Sequence, residues 1–197
     1  MPLPSGLHDL MIRRTLVWPL LAMPAVFICY WFLADLLSYG ESIHITGQWS
    51  VGLLCAALLA TPFKRLLPKW PGSLLLLRHR RAIGVASFGY ALLHTVIYLD
   101  KKWAAGLVLK EGQDPSLLTG WIAFLLFLAL AATSNNMSVR KLDRRWKGLH
   151  RSVYLAAALT FIHWALTSLD PTTAISIGAS VFIFELIRIQ KTQKPTL

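Results

Sequence analysis

Six runs of apolar residues, about 15–37, 49–67, 82–99, 120–137, 151–168 and 172–189, take up most of this chain. Each approaches or exceeds the ~17–25 residues that carry a helix across a hydrocarbon core. A backbone inside lipid has no water to bond, so a run of this length must satisfy itself as a helix. Composition agrees, with 55% of the 197 residues hydrophobic and only 15% charged, far from the balance of a soluble domain. The sequence predicts an all-α polytopic membrane protein, a bundle of six transmembrane helices forming one domain over residues 1–197. The length leaves room for short loops and for no separate nucleotide-binding module.

A formal net charge of +11 would suit a nucleic-acid binder, but its distribution does not. Arg13 and Arg14 precede the first run, six Lys and Arg between Lys64 and Arg81 separate the second from the third, and six more between Arg140 and Arg151 precede the fifth. Arg188, Lys191 and Lys194 follow the sixth, so seventeen of the twenty basic residues fall on one side, leaving Lys101, Lys102 and Lys110 on the other. This bias places both termini in the cytoplasm and requires an even number of spans. The basic loops suit anionic membrane lipid, and no nucleic acid is expected.

The first run is about twice a usual signal-peptide core and lacks a small-residue cleavage pattern, so it reads as a retained anchor. Cys29 and Cys55 both fall inside spans, which gives a disulfide no support, and no Cys-x-x-Cys-His is present. Pro68, Pro71 and Gly72 break the chain after the second run, and Asp170-Pro171 reverses it between the fifth and sixth. Glu185 has Arg188 three residues on, a local ion pair in helical spacing.

Two residues do not belong in such runs on hydropathy alone. His94 lies within the third and His163 within the fifth, and an ionisable side chain inside a span is costly enough to mark a functional site. Both runs are entered from a basic stretch, and each histidine comes twelve residues after the expected helix starts, Ala82 and Arg151. At 1.5 Å per residue both sit about 18 Å in from the same face. Two imidazoles at matched depth on parallel helices can clamp a metal, and haem iron is the natural candidate. The plain alternative is an interhelical hydrogen bond in a packed bundle. Gly84 and Gly89, on the helix of His94, would admit a flat macrocycle or simply a close helix neighbour.

His150 stands thirteen residues before His163, about 20 Å of helix rise and roughly 140° around the axis. It could ligate a second haem below the first only through a distorted helical turn; otherwise it is an interfacial histidine. His79, in Arg78-His-Arg-Arg81, reads as solvated or lipid-facing, and His8 and His44 as loop residues.

Several short segments occur together and in order: Ile43-His-Ile-Thr-Gly47, Leu58-Leu-Ala-Thr-Pro62, Arg80-Arg-Ala-Ile-Gly84, Ala91-Leu-Leu-His94, Trp146-Lys-Gly-Leu-His-Arg-Ser-Val-Tyr154 and Phe161-Ile-His163-Trp. Over about residues 40–190 the chain resembles the haem-binding membrane subunits of bacterial periplasmic methionine sulfoxide reductase systems, the MsrQ or YedZ family. That family lies in the ferric reductase-like transmembrane group. The resemblance implies a b-type cytochrome of the bacterial inner membrane. Its electrons would come from quinone, or from a flavin reductase on the cytoplasmic side, and pass to a periplasmic molybdopterin (molybdenum-containing) methionine sulfoxide reductase. The partner, and not this chain, would carry the substrate chemistry. By position His94 and His163 match the haem-iron ligands, and His150 matches a third histidine associated with haem. The wider group has a second histidine near the start of the third span, where this chain reads Arg80-Arg81 with His79 just before. The FAD and NADPH domain of ferric reductases has no counterpart here, and FMN, which the resemblance associates with the family, has no motif in this sequence. Residues 100–119, the longest outer loop, are the expected docking surface for the periplasmic partner, with Lys101, Lys102 and His44 on that side and the two lysines steering it.

The rival from another class is a non-redox membrane transporter or an assembly scaffold. Pro19 and Pro24 interrupt the first run as transporter helices are often interrupted, but no acidic midplane residue accompanies them.

Overall fold

The computed structural model describes the backbone of residues 5–104 and 106–193, and the side chains of 15–103, 106–108 and 110–190. Its elements are helices: α1 Ser5–Leu33, α2 Tyr39–Leu66, α3 Pro71–Ala104, α4 Val108–Glu111, α5 Pro115–Ala132, α6 Asn136–Leu142, α7 Arg144–Arg151, α8 Val153–Thr167 and α9 Thr172–Gln193. Among the described residues five helices are long and apolar enough to cross a membrane, within α1, α2, α3, α5 and α9. The protein is therefore an all-α polytopic membrane protein. The expected fifth span corresponds to α8, whose 15 residues rise only about 22 Å.

Several boundaries differ from the sequence reading, each for a physical reason. The second helix starts at Tyr39, ten residues before the apolar run, because Ser38 and Glu41 form a capping box. The Glu41 amide donates to Ser38 Oγ at 3.2 Å and the Ser38 amide to Glu41 Oε2 at 2.9 Å. The polar residues that follow are helical and buried: Ser42 and Thr46 are fully enclosed and donate to carbonyls one turn back. His44 is thus on a helix and not in a loop. His8 likewise lies within α1, its side chain outside the described residues.

The third helix is 34 residues long, about 51 Å, and the basic stretch Arg78–Arg81 is part of it rather than a loop before it. Its far end also absorbs the start of the expected outer loop 100–119, which is largely helical through α3, α4 and the first turns of α5. Lys102 pairs with Glu111 at 2.7 Å, so of the two lysines expected to steer a partner only Lys101 is exposed and outside this pair.

Packing follows the small residues. Ser50 Oγ donates to the Ser87 carbonyl at 3.0 Å and Ser87 Oγ returns the bond to the Ser50 carbonyl at 2.8 Å. This reciprocal pair staples α2 to α3 at a contact that only small side chains allow. Leu54, Leu58, Phe127, Leu130, Ala156, Ala157, Phe161 and Val181 form the core joining α2, α5, α8 and α9. Outward-facing residues are apolar too: Leu16, Leu20, Val26 and Leu33 of α1 are each more than 60% exposed, as expected of a surface solvated by lipid.

At the basic end the helices are tied together by polar contacts. Arg65 donates to the Arg188 carbonyl, Arg80 to Thr61 Oγ1 and Arg81 to Asn136 Oδ1. Glu185, 5% exposed, takes the expected ion pair from Arg188 at 2.6 Å, and Arg188 also donates to the Tyr154 hydroxyl at 2.8 Å. The buried carboxylate is held by a charge-assisted bond, which is what its burial requires.

Candidate cofactor site

The matched depth of His94 and His163 was reckoned from helix starts that the structure moves, to Pro71 and Val153. The two imidazoles nevertheless meet, with ring centres 6.5 Å apart and planes at 86°. His94 is carried by α3 and His163 by α8, so the pair bridges two helices across a cavity.

Each ring is fixed by the same device. His94 Nδ1 donates to the Ile43 carbonyl on α2 at 3.0 Å, with Thr46 Oγ1 at 3.4 Å. His163 Nδ1 donates to the Ser116 carbonyl in the first turn of α5 at 2.7 Å. A carbonyl only accepts, so each Nδ1 must carry the hydrogen and each Nε2 keeps its lone pair. A backbone carbonyl on the remote nitrogen is the usual way a metal-ligating histidine is oriented.

Glycines make room for the rings. A Cβ at Gly120 would lie 2.7 Å from His163 Nδ1, and one at Gly47 would lie 3.5 Å from His94 Nδ1. At Gly120 no side chain fits without moving the imidazole. Gly84 and Gly89, expected to admit a macrocycle, do not line the cavity, and a Cβ at Gly84 would meet only Ala57 of α2. At Gly89 a Cβ would meet nothing within 4 Å. Gly47, Gly120 and the carbonyls of Ile43 and Ser116 were not singled out, although Gly47 closes the Ile43–Gly47 segment.

The cavity measures about 980 Å³ and lies among α2, α3, α5, α8 and α9, at the upper end of the range for cofactor sites. Its walls are mainly apolar and aromatic, among them Val51, Trp121, Phe124, Phe127 and Trp164, and among the described residues no Lys, Arg, Asp or Glu lines it. Among the described residues no group of three or more His, Cys, Asp or Glu converges. Two nitrogens alone do not hold a bare ion, so a metal here must bring its other ligands with it. Two imidazoles trans on one metal, with metal–nitrogen bonds of about 2 Å, have ring centres roughly 6 Å apart. The observed spacing and the mainly apolar lining therefore fit a metal macrocycle.

His150 is built differently. It lies on α7, outside the cavity lining, stacked on Trp146 with ring centres 4.0 Å apart. Its Nε2 is 3.1 Å from Thr133 Oγ1. Burial pushes its imidazole below the ordinary value, a hydrogen bond to the Thr133 backbone opposes this, and Arg81 and Arg80 add to the fall. The expected distortion is present: the helix breaks at Ser152, whose amide bonds Leu149 in a tight turn at 3.0 Å before α8 resumes. His79, on α3 and half-buried, does not line the cavity. His44, set aside in the sequence reading, does line it.

Comparison with known proteins adds a family to this geometry. The ferric reductase like transmembrane component matches residues 46–161, a span that includes His94 and His150 and ends two residues before His163. Proteins of Brucella ovis, Brucella canis and Brucella abortus named "Protein-methionine-sulfoxide reductase heme-binding subunit MsrQ" are each 35% identical over 162 residues. The alignment covers 78% of this chain and 71% of each of theirs. No solved structure matches the chain.

Proposed function

The chain belongs to the ferric reductase-like transmembrane family, and from that premise we propose that it is a b-type cytochrome whose haem iron is held by His94 and His163. The observation that carries the proposal is the imidazole pair, ring centres 6.5 Å apart and each Nδ1 spent on a backbone carbonyl. Held by His94 and His163, haem would supply one-electron exchange at its iron. The chain's own residues do the rest. The Ile43 and Ser116 carbonyls hold the rings in ligating orientation and raise their basicity. Trp121, Phe124, Phe127 and Trp164 keep water from the site, and burial with these hydrogen bonds sets the potential.

The names of the Brucella relatives support placing the chain in a methionine-sulfoxide reductase system. In that placement it is the membrane subunit of the bacterial inner membrane, with no substrate chemistry of its own. It takes electrons from quinone or a cytoplasmic-side flavin, FMN included, and gives them to a periplasmic molybdenum-containing reductase. Six spans complete the topology, α8 serving as the fifth because Ala156, Ala157 and Phe161 seat it in the core and α7 leads into it. Both termini then face the cytoplasm; a reporter fused after Leu197 is active there and silent in the periplasm. For His150 to ligate a second haem, its imidazole would have to exchange the Thr133 hydroxyl for iron; as an interfacial histidine it keeps Thr133 and Trp146.

A spectrum of the purified protein tests the function. Sharp bands of reduced low-spin b-type haem are expected. A colourless protein, pure and folded, would return the chain to the transporter or scaffold class.

A further inference from the structure

Haem is an amphiphile. Its ring is apolar, but one edge carries two carboxylates, and a membrane cavity must give them donors or water. Among the described residues no Lys or Arg lines the cavity around His94 and His163, so donors for a carboxylate must come from uncharged side chains, histidines first. His94 and His163 have committed Nδ1 to carbonyls, which leaves His44.

The hydroxyls of the lining narrow the choice further. Ser50, Thr95, Thr160, Thr167 and Ser168 each donate to a backbone carbonyl, and the Tyr98 hydroxyl is directed to Glu111, which leaves Thr173 among the lining hydroxyls. His44 and Gln48 form a different arrangement. They lie one turn apart on α2, both exposed and both lining the cavity, with Gln48 Nε2 2.9 Å from His44 Nε2. That bond orients the two side chains toward each other while the amide keeps a second N–H and the imidazole its other nitrogen.

Their position in the cavity is also distinctive. His44 and Gln48 belong to the first turns of α2, beside lining residues Ser168 and Leu169 after α8 and Thr173 at the start of α9. This is the mouth at the end of the bundle opposite the arginines. Toward the interior the lining turns apolar, with Cys55, Ala123 and Phe127. An amphiphile can enter such a cavity with its ring inward and its carboxylates at the mouth, and not the reverse.

We infer that His44 and Gln48 form the carboxylate clamp of this site, holding a propionate of the haem at the mouth of the cavity. The inference rests on the His94–His163 assignment and deepens it. It gives the macrocycle one orientation in the bundle, with its acidic edge toward the end that carries residues 34–38 and 168–171. A carboxylate accepting from the His44 Nδ1–H and the second Gln48 amide N–H makes hydrogen bonds in which the acceptor is ionised, the stronger class.

The test uses full-length apoprotein in detergent, titrated with haem b and with its dimethyl ester, whose carboxylates are blocked. Binding and the low-spin bis-imidazole spectrum are the readouts. The wild type should bind the free acid roughly tenfold or more tighter than the ester, the scale of a hydrogen bond to a charged group. In His44→Leu/Gln48→Leu the two should bind within about twofold of each other while the low-spin spectrum is kept. His44→Arg, which supplies a donor in place of the imidazole, should restore preference for the acid. Full discrimination in the double variant, or none in the wild type, overturns the clamp and leaves the axial pair standing. If the wild type takes neither probe in low-spin form, the axial assignment falls and the clamp falls with it.

Discussion

His163 and His150 lie thirteen residues apart on nearly continuous helix, yet the bundle treats them in opposite ways. His163 faces another histidine across a cavity of about 980 Å³, with its Nδ1 on a carbonyl and a glycine beneath its ring. His150 sits beside two arginines, flat against Trp146, with its Nε2 near a hydroxyl. The difference lies in which nitrogen the protein occupies. At His163, as at His94, the fold consumes the nitrogen next to the backbone and leaves the outer lone pair for a metal. At His150 the outer nitrogen is the one engaged. A buried histidine therefore becomes informative only when its hydrogen-bond partner is known.

The most disruptive way to break this contrast is to crowd one ring and not the other. Gly120→Ala puts a Cβ 2.7 Å from His163 Nδ1, so the imidazole must swing and its bond to Ser116 is lost. Haem retention should fall by about 10-fold to 100-fold, the usual cost of losing an orienting partner of a metal ligand. Gly148→Ala, on the helix of His150 where a Cβ meets nothing within 4 Å, should leave pigment unchanged. Equal losses in both variants would dissolve the contrast between the two sites.

A smaller effect comes from His150→Ala, read as haem per polypeptide. The count falls by about half, by stoichiometry, if His150 holds a second haem, with the spectrum of the His94–His163 site kept. It stays whole if the imidazole belongs to Thr133 and Trp146. Loss of all pigment is expected from neither, and would mean that His150 supports the first site.

The sequence displayed the membrane class, the basic asymmetry and the two intramembrane histidines, because hydropathy and charge are properties of single residues. It also marked the Glu185–Arg188 pair, where helical spacing alone brings partners together. It misplaced the start of α2 because Ser42, Thr46 and His44 lower the hydropathy of residues that are nonetheless helical. Only the capping box at Ser38 and Glu41 pointed the other way. The depth estimate for His94 used a false helix start, and the pairing with His163 emerged from packing instead. Gly120 and the Ser116 carbonyl were not legible at all. Their value depends on which helix α8 packs against, and no local pattern encodes that. His44 reads in the sequence only as an outer-side loop residue, since a histidine among polar residues looks like a loop until the cavity beside it is seen.

Replacement of the two facing histidines tests the central claim most directly. His94→Ala and His163→Ala each remove one axial imidazole and leave the other anchored, so each purified protein should lose its haem or hold it high-spin, visible by optical and electron paramagnetic resonance spectroscopy. If both variants keep a full complement of low-spin haem, His94 and His163 are not its ligands.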